Sequence, residues 1–262
     1  MKRIITALIL TPIALALIFW ADFRILQLAI AGFALACAFE FRNLVGHFQI
    51  PKPAFTALGI GLCLLLLPLP FAFPVLLVGT LLLLVAMLRV ADMRQTLPSA
   101  GAGILGILYI FGSWKTGLLL ARINPHWLML ALAINWVGDT AAFLTGRMFG
   151  RHKLAPTISP AKSWEGAAGS LAISVAAATA YMRWFSPETP LVFAIVLAAL
   201  ANVAGQVGDL AESAMKRGAG IKDSGSTLPG HGGWLDRLDS SLFSMPVVYA
   251  LLLVADLFRR GW

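Results

Sequence analysis

The sequence predicts an all-α fold, a polytopic integral membrane helical bundle with about nine transmembrane helices. The 262-residue chain has a mean hydropathy of +0.84, and 59% of its residues are hydrophobic while only 12% are charged. The run from Pro53 to Leu88 contains no charged residue, and one helix needs about 20 residues to cross a bilayer. Runs such as LCLLLLPL lack the polar–apolar alternation of a transmembrane β-barrel.

The first predicted span lies at the amino terminus, in MKRIITALILTPIALALIFW. A charged start followed by an apolar stretch is also typical of a signal peptide. However, ADFRI follows without a small-x-small cleavage site, and the apolar stretch is long for a signal core. We therefore expect this segment to be retained as a membrane span.

The other spans follow from the remaining apolar runs. Pro68, Pro70 and Pro74 divide the long uncharged run into a helix, a tight turn and a second helix. The fifth span ends near residue 114, or extends toward Lys115. We expect residues 1–262 to form a single membrane domain. The predicted spans cover about residues 4–20, 25–39, 54–69, 71–88, 97–114, 127–146, 166–182, 190–208 and 240–257.

The distribution of charge predicts the orientation. With the amino terminus in the cytoplasm, most of the 20 Lys and Arg residues fall on the cytoplasmic side, as the positive-inside rule requires. The net charge of +8 is then a feature of topology and of attraction to anionic lipids, and we expect no nucleic acid partner. We predict an integral protein of the bacterial inner membrane, with polar active-site loops at about 147–165 and 209–239 facing the cytoplasm.

The second polar segment begins with GDLAESAMKR. If the preceding helix continues, Asp209, Ser213 and Lys216 are spaced i, i+4 and i+7 and share one face. The alternative is an ordinary helix end with a surface ion pair between Glu212 and Lys216.

The same segment ends with GHGGWLDRLDS, in which Asp236 and Asp239 are three residues apart. Two carboxylates at this spacing suit Mg²⁺, which prefers oxygen ligands and keeps some waters. The alternative for Asp239 is a helix amino-terminal cap. Gly230, Gly232 and Gly233 allow close approach of the backbone to an anion, or form an ordinary turn.

The first polar segment reads DTAAFLTGRMFGRHKLAPTISPAKSWEG. Asp139 lies within or at the end of an apolar span, where an acid is costly and is a functional candidate. Positive charge of the kind that a polyphosphate requires comes from the basic residues that follow, Arg147, Arg151, Lys153 and Lys162, although topogenic charge explains part of it. Carboxylates, cations and glycines together predict phosphoryl or nucleotidyl transfer onto a lipid. The P-loop pattern GxxxxGK[ST] is absent from the sequence.

The segment GDLAESAMKRGAGIKDSGSTLPGHGGWLDRLDS closely resembles the signature of the phosphatidate cytidylyltransferase family, the CDP-diacylglycerol synthases. The DTAAF segment resembles a second segment of that family. The resemblance implies an integral membrane enzyme that joins CTP to phosphatidic acid, yields CDP-diacylglycerol and pyrophosphate, and requires Mg²⁺ with room for a second cation. Ala141, Phe143 and Trp234 depart from the family pattern, but none of them is a charged position.

The resemblance also implies roles for individual residues. The expected metal ligands are Asp209, Asp236 and Asp239. The expected catalytic residues are Asp209, Ser213, Lys216, Asp236 and Asp239. The charges of the first polar segment and the match to the signature together give the expected substrate-binding residues, which are Asp139, Arg147, Lys153, Lys162, Lys222, Asp223, His231 and Arg237.

Two alternative functions fit the sequence less well. A CDP-alcohol phosphotransferase would show three residues between its final acids and a preceding DGxxAR, whereas here two residues separate Asp236 from Asp239. A membrane transporter could use Asp139 and Asp209 as relay carboxylates but would not need GHGG. The expected partners are CTP, phosphatidic acid and membrane lipid. A homodimer is left open, because Ala102 and Gly106 allow close helix packing.

Overall fold

The computed structural model describes residues 2–51, 55–88, 92–227 and 232–260. In these residues the chain is mainly α-helical, with one short β-hairpin. The helices are α1 (Lys2–Phe19), α2 (Phe23–Gly46), α3 (Phe55–Leu66), α4 (Ala72–Met87), α5 (Thr96–Gly106), α6 (Ser113–Ile123), α7 (Pro125–Phe149), α8 (Trp164–Phe185), α9 (Leu191–Gly218) and α10 (Leu235–Arg260). The strands are β1 (Lys153–Ala155) and β2 (Ser159–Ser163).

The all-α membrane fold agrees with the sequence prediction. Within the described residues, six helical segments are long and apolar enough to cross a membrane: Phe23–Gly46, Leu69–Met87, Met93–Ile123, Pro125–Phe149, Leu191–Gly218 and Leu235–Leu257. A shorter apolar helix covers Phe55–Leu66. The six do not include α1, α3 or α8, so the count of about nine spans stays a prediction.

The fifth predicted span is longer than expected. A π-helical segment, Ile107–Gly112, joins α5 to α6, so the helical region runs on well beyond residue 114. Lys115, expected near the end of a span, is instead buried, and its Nζ donates to the carbonyl oxygens of Leu65 (3.1 Å) and Leu67. The charge is tolerated there because these carbonyls lie where Pro68 ends α3 and lack helical partners.

The described residues group into two compact units. The first unit comprises Met1–Leu118 and Met215–Leu238, and the second comprises Leu119–Ala214 and Asp239–Trp262. Helices α9 and α10 each pass from one unit into the other along the chain. The signature segment therefore contributes residues to both units. A single domain over 1–262 stays a prediction.

The core of the first unit forms where α3 packs against its neighbours. Ala57, Ile60, Leu64, Leu83 and Ile107 are buried together. Gly79 on α4 touches the Ile60 side chain so closely that an added Cβ would collide with it. Small residues at such contacts let membrane helices approach closely and gain dispersion energy.

Polar side chains join the helices of the second unit. The Asn135 amide of α7 donates to the Ser244 hydroxyl of α10 at 2.7 Å. The Asn202 amide of α9 donates to Ser170 and Ser174 of α8, each at 3.1 Å. All five side chains are buried. Such interhelical hydrogen bonds contribute ~0.6 kcal/mol each on average, and they hold α7 to α10 in place around the site.

The β-hairpin is the element that the helical prediction did not include. It connects α7 to α8, with antiparallel strands in which Lys153 pairs with Ser163. The Ser163 hydroxyl accepts a hydrogen bond from the Gly166 amide and caps α8. The Glu165 carboxylate accepts from its own backbone amide and from His152, which lowers the pKa of Glu165 to about 2. The hairpin is thereby anchored to α8, and it carries two basic residues of the predicted site, Lys153 and Lys162.

Candidate active site

The carboxyl-terminal part of α9 carries the first predicted group. The helix continues to Gly218, so Asp209, Ser213 and Lys216 share a face as predicted. The Ser213 hydroxyl donates to Asp209 Oδ1 at 3.3 Å. Glu212 has no exposed surface and Lys216 is 8% exposed. Neither side chain is at the surface, so the surface position that the alternative assumed is wrong.

A cavity of about 410 Å³ opens in the second unit beside α9. Its wall contains the predicted residues Asp139, Arg147, Lys162 and Asp209. Lys162 Nζ, carried by β2, lies 2.6 Å from Asp209 Oδ2, with the two side chains 25% and 32% exposed. The rest of the wall is mostly small or apolar: Ala142, Phe143, Gly146, Leu154, Ala161, Ser163, Gly166, Ala167, Ser170 and Gln206. Charged and apolar walls together suit a phosphate-bearing amphiphile.

Asp209 and Asp239 belong to helices that touch at these positions. A Cβ added to Gly208 would lie 2.8 Å from the Asp239 carbonyl oxygen and 2.9 Å from the Phe243 ring. Asp239 is 8% exposed, and its Oδ1 accepts from the Ser240 amide at 2.6 Å. Because α10 begins at Leu235, Asp239 lies beyond the first turn, and the helix-cap alternative is wrong.

The arrangement bears on the predicted metal site. Among the described residues, no group of three or more His, Cys, Asp or Glu side chains is arranged to hold a metal ion. Mg²⁺ is commonly held by one or two carboxylates together with waters and substrate phosphates. Asp209 and Asp239 on touching helices suit that mode, because the substrate would complete the shell. Their role as metal ligands stays a prediction.

The third predicted acid lies in the first unit. Lys216 Nζ is 2.6 Å from Asp236 Oδ1, and the side chains are only 10% and 6% exposed. The Asp236 carboxylate also accepts from the Ser224 amide (3.0 and 3.1 Å) and the Gly233 amide (2.8 Å). A buried ion pair is stable only when such additional donors offset its desolvation. The sequence identified both charged residues but not their pairing.

Glu40 is a residue that the sequence analysis missed. It lies on α2, is 4% exposed, and its carboxylate accepts hydrogen bonds from the loop joining α9 to α10. The predicted second span ended at residue 39, which left Glu40 outside the membrane helix, whereas α2 continues to Gly46. The rule that selected Asp139, an acid in an apolar span, would have selected Glu40 had the span been extended.

The remaining predicted residues are on the surface or outside the described residues. Lys153 on β1 is exposed, as are Lys222, Asp223 and Arg237 in the first unit. Gly230 and His231 lie outside the described residues.

A larger cavity of about 640 Å³ lies elsewhere in the second unit. It is lined by the ends of α6, α8 and α10 and the starts of α7 and α9, including Arg122, Trp127, Phe185 and Tyr249. The ends of α7, α8 and α9 that line it are opposite to the ends that line the smaller cavity. None of the predicted site residues lines it, and it is not the candidate active site.

Comparison with known proteins identifies the family of the chain. The model of the Cytidylyltransferase family matches residues 1–255. The chain belongs to this cytidylyltransferase family. The resemblance seen in the two polar segments therefore extends over almost the whole sequence of this cytidylyltransferase.

Individual relatives of the cytidylyltransferase carry a more specific name. A phosphatidate cytidylyltransferase of Pseudomonas aeruginosa is 38% identical over 271 aligned positions, which cover 100% of this chain and 98% of the relative. The phosphatidate cytidylyltransferase of Bacillus subtilis is 37% identical over 160 positions, 60% of each chain. That of Staphylococcus aureus is 40% identical over 151 positions, which cover 57% of this chain and 55% of the relative.

Proposed function

We propose that this protein is a phosphatidate cytidylyltransferase, which transfers the cytidylyl group of CTP to phosphatidic acid and releases pyrophosphate. The full-length likeness to the relative of that name from Pseudomonas aeruginosa carries the proposal. The charged cavity with its apolar walls supports it, because phosphatidic acid combines an anionic phosphate with apolar chains.

The proposed chemistry is an in-line displacement at phosphorus. A phosphate oxygen of phosphatidic acid forms a bond to the α-phosphorus of CTP, and the bond from that phosphorus to the bridging oxygen of pyrophosphate breaks. The nucleophile is already anionic, so a strong general base is not required. Positioning and charge neutralisation are then the main tasks of the protein. In the cavity, Arg147 and Lys162 supply positive charge for phosphate oxygens.

We further propose that the reaction requires Mg²⁺ and that Asp209 and Asp239 hold it. Their carboxylate oxygens are the ligands that Mg²⁺ prefers, and a bound Mg²⁺ would neutralise phosphate charge. Asp236 stays a predicted third acid, with its carboxylate held by Lys216 and two backbone amides. Ser213 orients the Asp209 carboxylate through its hydroxyl.

The reaction is tested with purified protein, labelled CTP and phosphatidic acid in mixed micelles. We expect CDP-diacylglycerol to form only when CTP, phosphatidic acid and Mg²⁺ are all present, and a chelator to stop the reaction until Mg²⁺ is restored. Omitting each component in turn is the control. Product formation from CDP-diacylglycerol and an alcohol, with none from CTP, would contradict the proposal, and full activity in chelator would contradict the metal requirement.

We also propose that the protein lies in the bacterial inner membrane with residues 147–165 and 209–239 in the cytoplasm, where CTP is available. The excess of basic residues on that side supports this orientation. The hairpin and the loop after α9 offer exposed reporter positions at Thr157 and Ser226.

Thr157→Cys and Ser226→Cys, made after replacing the exposed Cys63 by alanine, test the orientation. In intact cells both cysteines should resist a membrane-impermeant maleimide and react only after permeabilisation. Pro187→Cys, at an exposed position between α8 and α9, is the matched control and should react from outside. Labelling of residue 157 or 226 in intact cells would refute the orientation.

A further inference from the structure

Glu40 is a buried carboxylate in an apolar helix. It follows the run AIAGFALACAF of α2, and its neighbours Ala38 and Phe41 are buried as well. An ionised carboxylate in such a place is strongly unfavourable unless hydrogen-bond donors replace the lost water. Its partners therefore indicate why the acid is there.

The two oxygens of Glu40 have matching sets of donors. Oε1 accepts from the Trp234 amide at 3.0 Å and from the Thr227 hydroxyl. Oε2 accepts from the Leu235 amide at 2.8 Å and from the Ser224 hydroxyl at 3.1 Å. The two amides lie at the amino terminus of α10, where backbone N–H groups lack helical partners and the helix dipole favours an anion. A side chain of α2 thus caps α10.

The loop is also shaped around this carboxylate. A Cβ added to Gly225 would lie 2.7 Å from Glu40 Oε1, and one added to Gly233 would collide with Oε2. Gly232 has φ +79°, a conformation that side chains other than hydrogen disfavour. Close approach to Glu40 therefore explains why the signature has glycine at positions 225 and 233.

Ser224 connects Glu40 to the predicted site. Its hydroxyl donates to Glu40, while its amide donates to the Asp236 carboxylate. The Gly233 amide also donates to the Asp236 carboxylate, and a Cβ added to Gly233 would collide with Glu40. Displacing Glu40 would therefore release the two backbone donors that hold Asp236 against Lys216.

We propose that Glu40 is a positioning residue for the reaction, which acts by seating the described residues of the signature loop (219–227 and 232–234) and through them the Lys216–Asp236 pair. The inference rests on the proposed CTP-dependent function only for its activity measurement. The seating of the loop is measured separately.

Glu40→Gln is the most direct test. Each oxygen of Glu40 receives one backbone N–H, so an amide NH₂ in either orientation must face one of them. The two hydroxyls can rotate, but the amides of Trp234 and Leu235 cannot become acceptors. We expect kcat to fall by about tenfold or more, as for a buried donor left without its acceptor, while the protein still accumulates in the membrane.

The seating of the loop is measured by the reactivity of Ser226→Cys toward a soluble maleimide in purified protein. In the Glu40→Gln background we expect its labelling rate to rise by about tenfold, because local opening of the loop becomes easier. Thr157→Cys on the hairpin should keep its rate. A loss of folding throughout the protein would raise both rates, which separates positioning from general destabilisation.

Lys115→Met is the matched control, because Lys115 is another buried charge of the first unit that satisfies the end of a helix. It should leave the Ser226→Cys labelling rate and kcat near those of the parent. Thr227→Val removes one donor to Glu40 and keeps the carboxylate, so it should raise the Ser226→Cys labelling rate to a smaller extent. This variant tests the proposal if Glu40→Gln does not accumulate in the membrane.

An unchanged labelling rate in Glu40→Gln, or in Thr227→Val where the former is not obtained, would overturn the proposal. A kcat within about twofold of the parent in a variant whose labelling rate has risen would also overturn the proposal, because catalysis would then not require the loop to be held in place. A parent protein inactive with CTP and phosphatidic acid would instead refute the proposed function, and the labelling rates would still report on the loop.

Discussion

Asp239→Asn is expected to lower the rate of CDP-diacylglycerol formation at least about a hundredfold at limiting Mg²⁺, which corresponds to ~2.7 kcal/mol of lost transition-state stabilisation. Asp239 is buried beyond the first turn of α10 and touches α9 next to Asp209. Asparagine keeps the size of the side chain and can still accept from the Ser240 amide, but it removes the charge that a cation requires. Thermal stability should therefore change little, and initial rates at several Mg²⁺ concentrations measure the effect.

Asp256→Asn is the matched control for this variant. Asp256 is an exposed aspartate near the other end of the same helix, and its substitution should leave the rate near that of the parent. Glu212 is unsuitable as a surface control because it has no exposed surface. If Asp239→Asn keeps more than about a tenth of the parent activity, the substitution removes less than ~1.4 kcal/mol of transition-state stabilisation. Asp239 is then not a metal ligand.

Lys216→Met is expected to reduce both stability and activity. It leaves the buried Asp236 carboxylate without its ion-pair partner, and breaking such a pair costs about 3–5 kcal/mol. Thermal unfolding in detergent and the CTP assay measure the two losses. Lys162→Met is a useful comparison, because the Lys162–Asp209 pair is 25% and 32% exposed and its loss should cost only ~0–1 kcal/mol of stability.

The double variant Lys216→Met/Asp236→Asn separates a structural role from a catalytic one. Removing both charges should restore much of the stability, because the carboxylate is no longer buried and unpaired. The activity should stay low, because the Lys216 ammonium and the Asp236 carboxylate, both predicted to act in catalysis, are still missing. Recovery of activity together with stability would show that Lys216 serves only to neutralise Asp236.

Local pattern predicted the fold class and much of the candidate site. Hydropathy identifies the helices because a bilayer leaves backbone groups no partners outside the helix. Helical periodicity placed Asp209 and Ser213 in contact, and the signature segment indicated the family that the match to residues 1–255 establishes. These inferences depend on residues close together in sequence or on an extended motif.

The errors arose where a helix continued past a charge. Lys115 and Glu40 were placed at or beyond the ends of spans, whereas both are buried within longer helices. A charge marks the end of a span only if water or lipid headgroups must solvate it. The carbonyls at the end of α3 and the amides at the start of α10 solvate these two charges instead.

The sequence by itself determined that this protein is a helical membrane protein, and it predicted which charged residues belong to its chemistry. Only the tertiary structure decided how those charges are paired: Lys162 with Asp209, Lys216 with Asp236, and Glu40 with a loop whose Ser224 is 184 residues away. Periodicity carries no information about contacts at that separation. The partners of a buried charge are set by which donors the packed helices bring within hydrogen-bonding distance, because an unsatisfied charge there is too costly to persist.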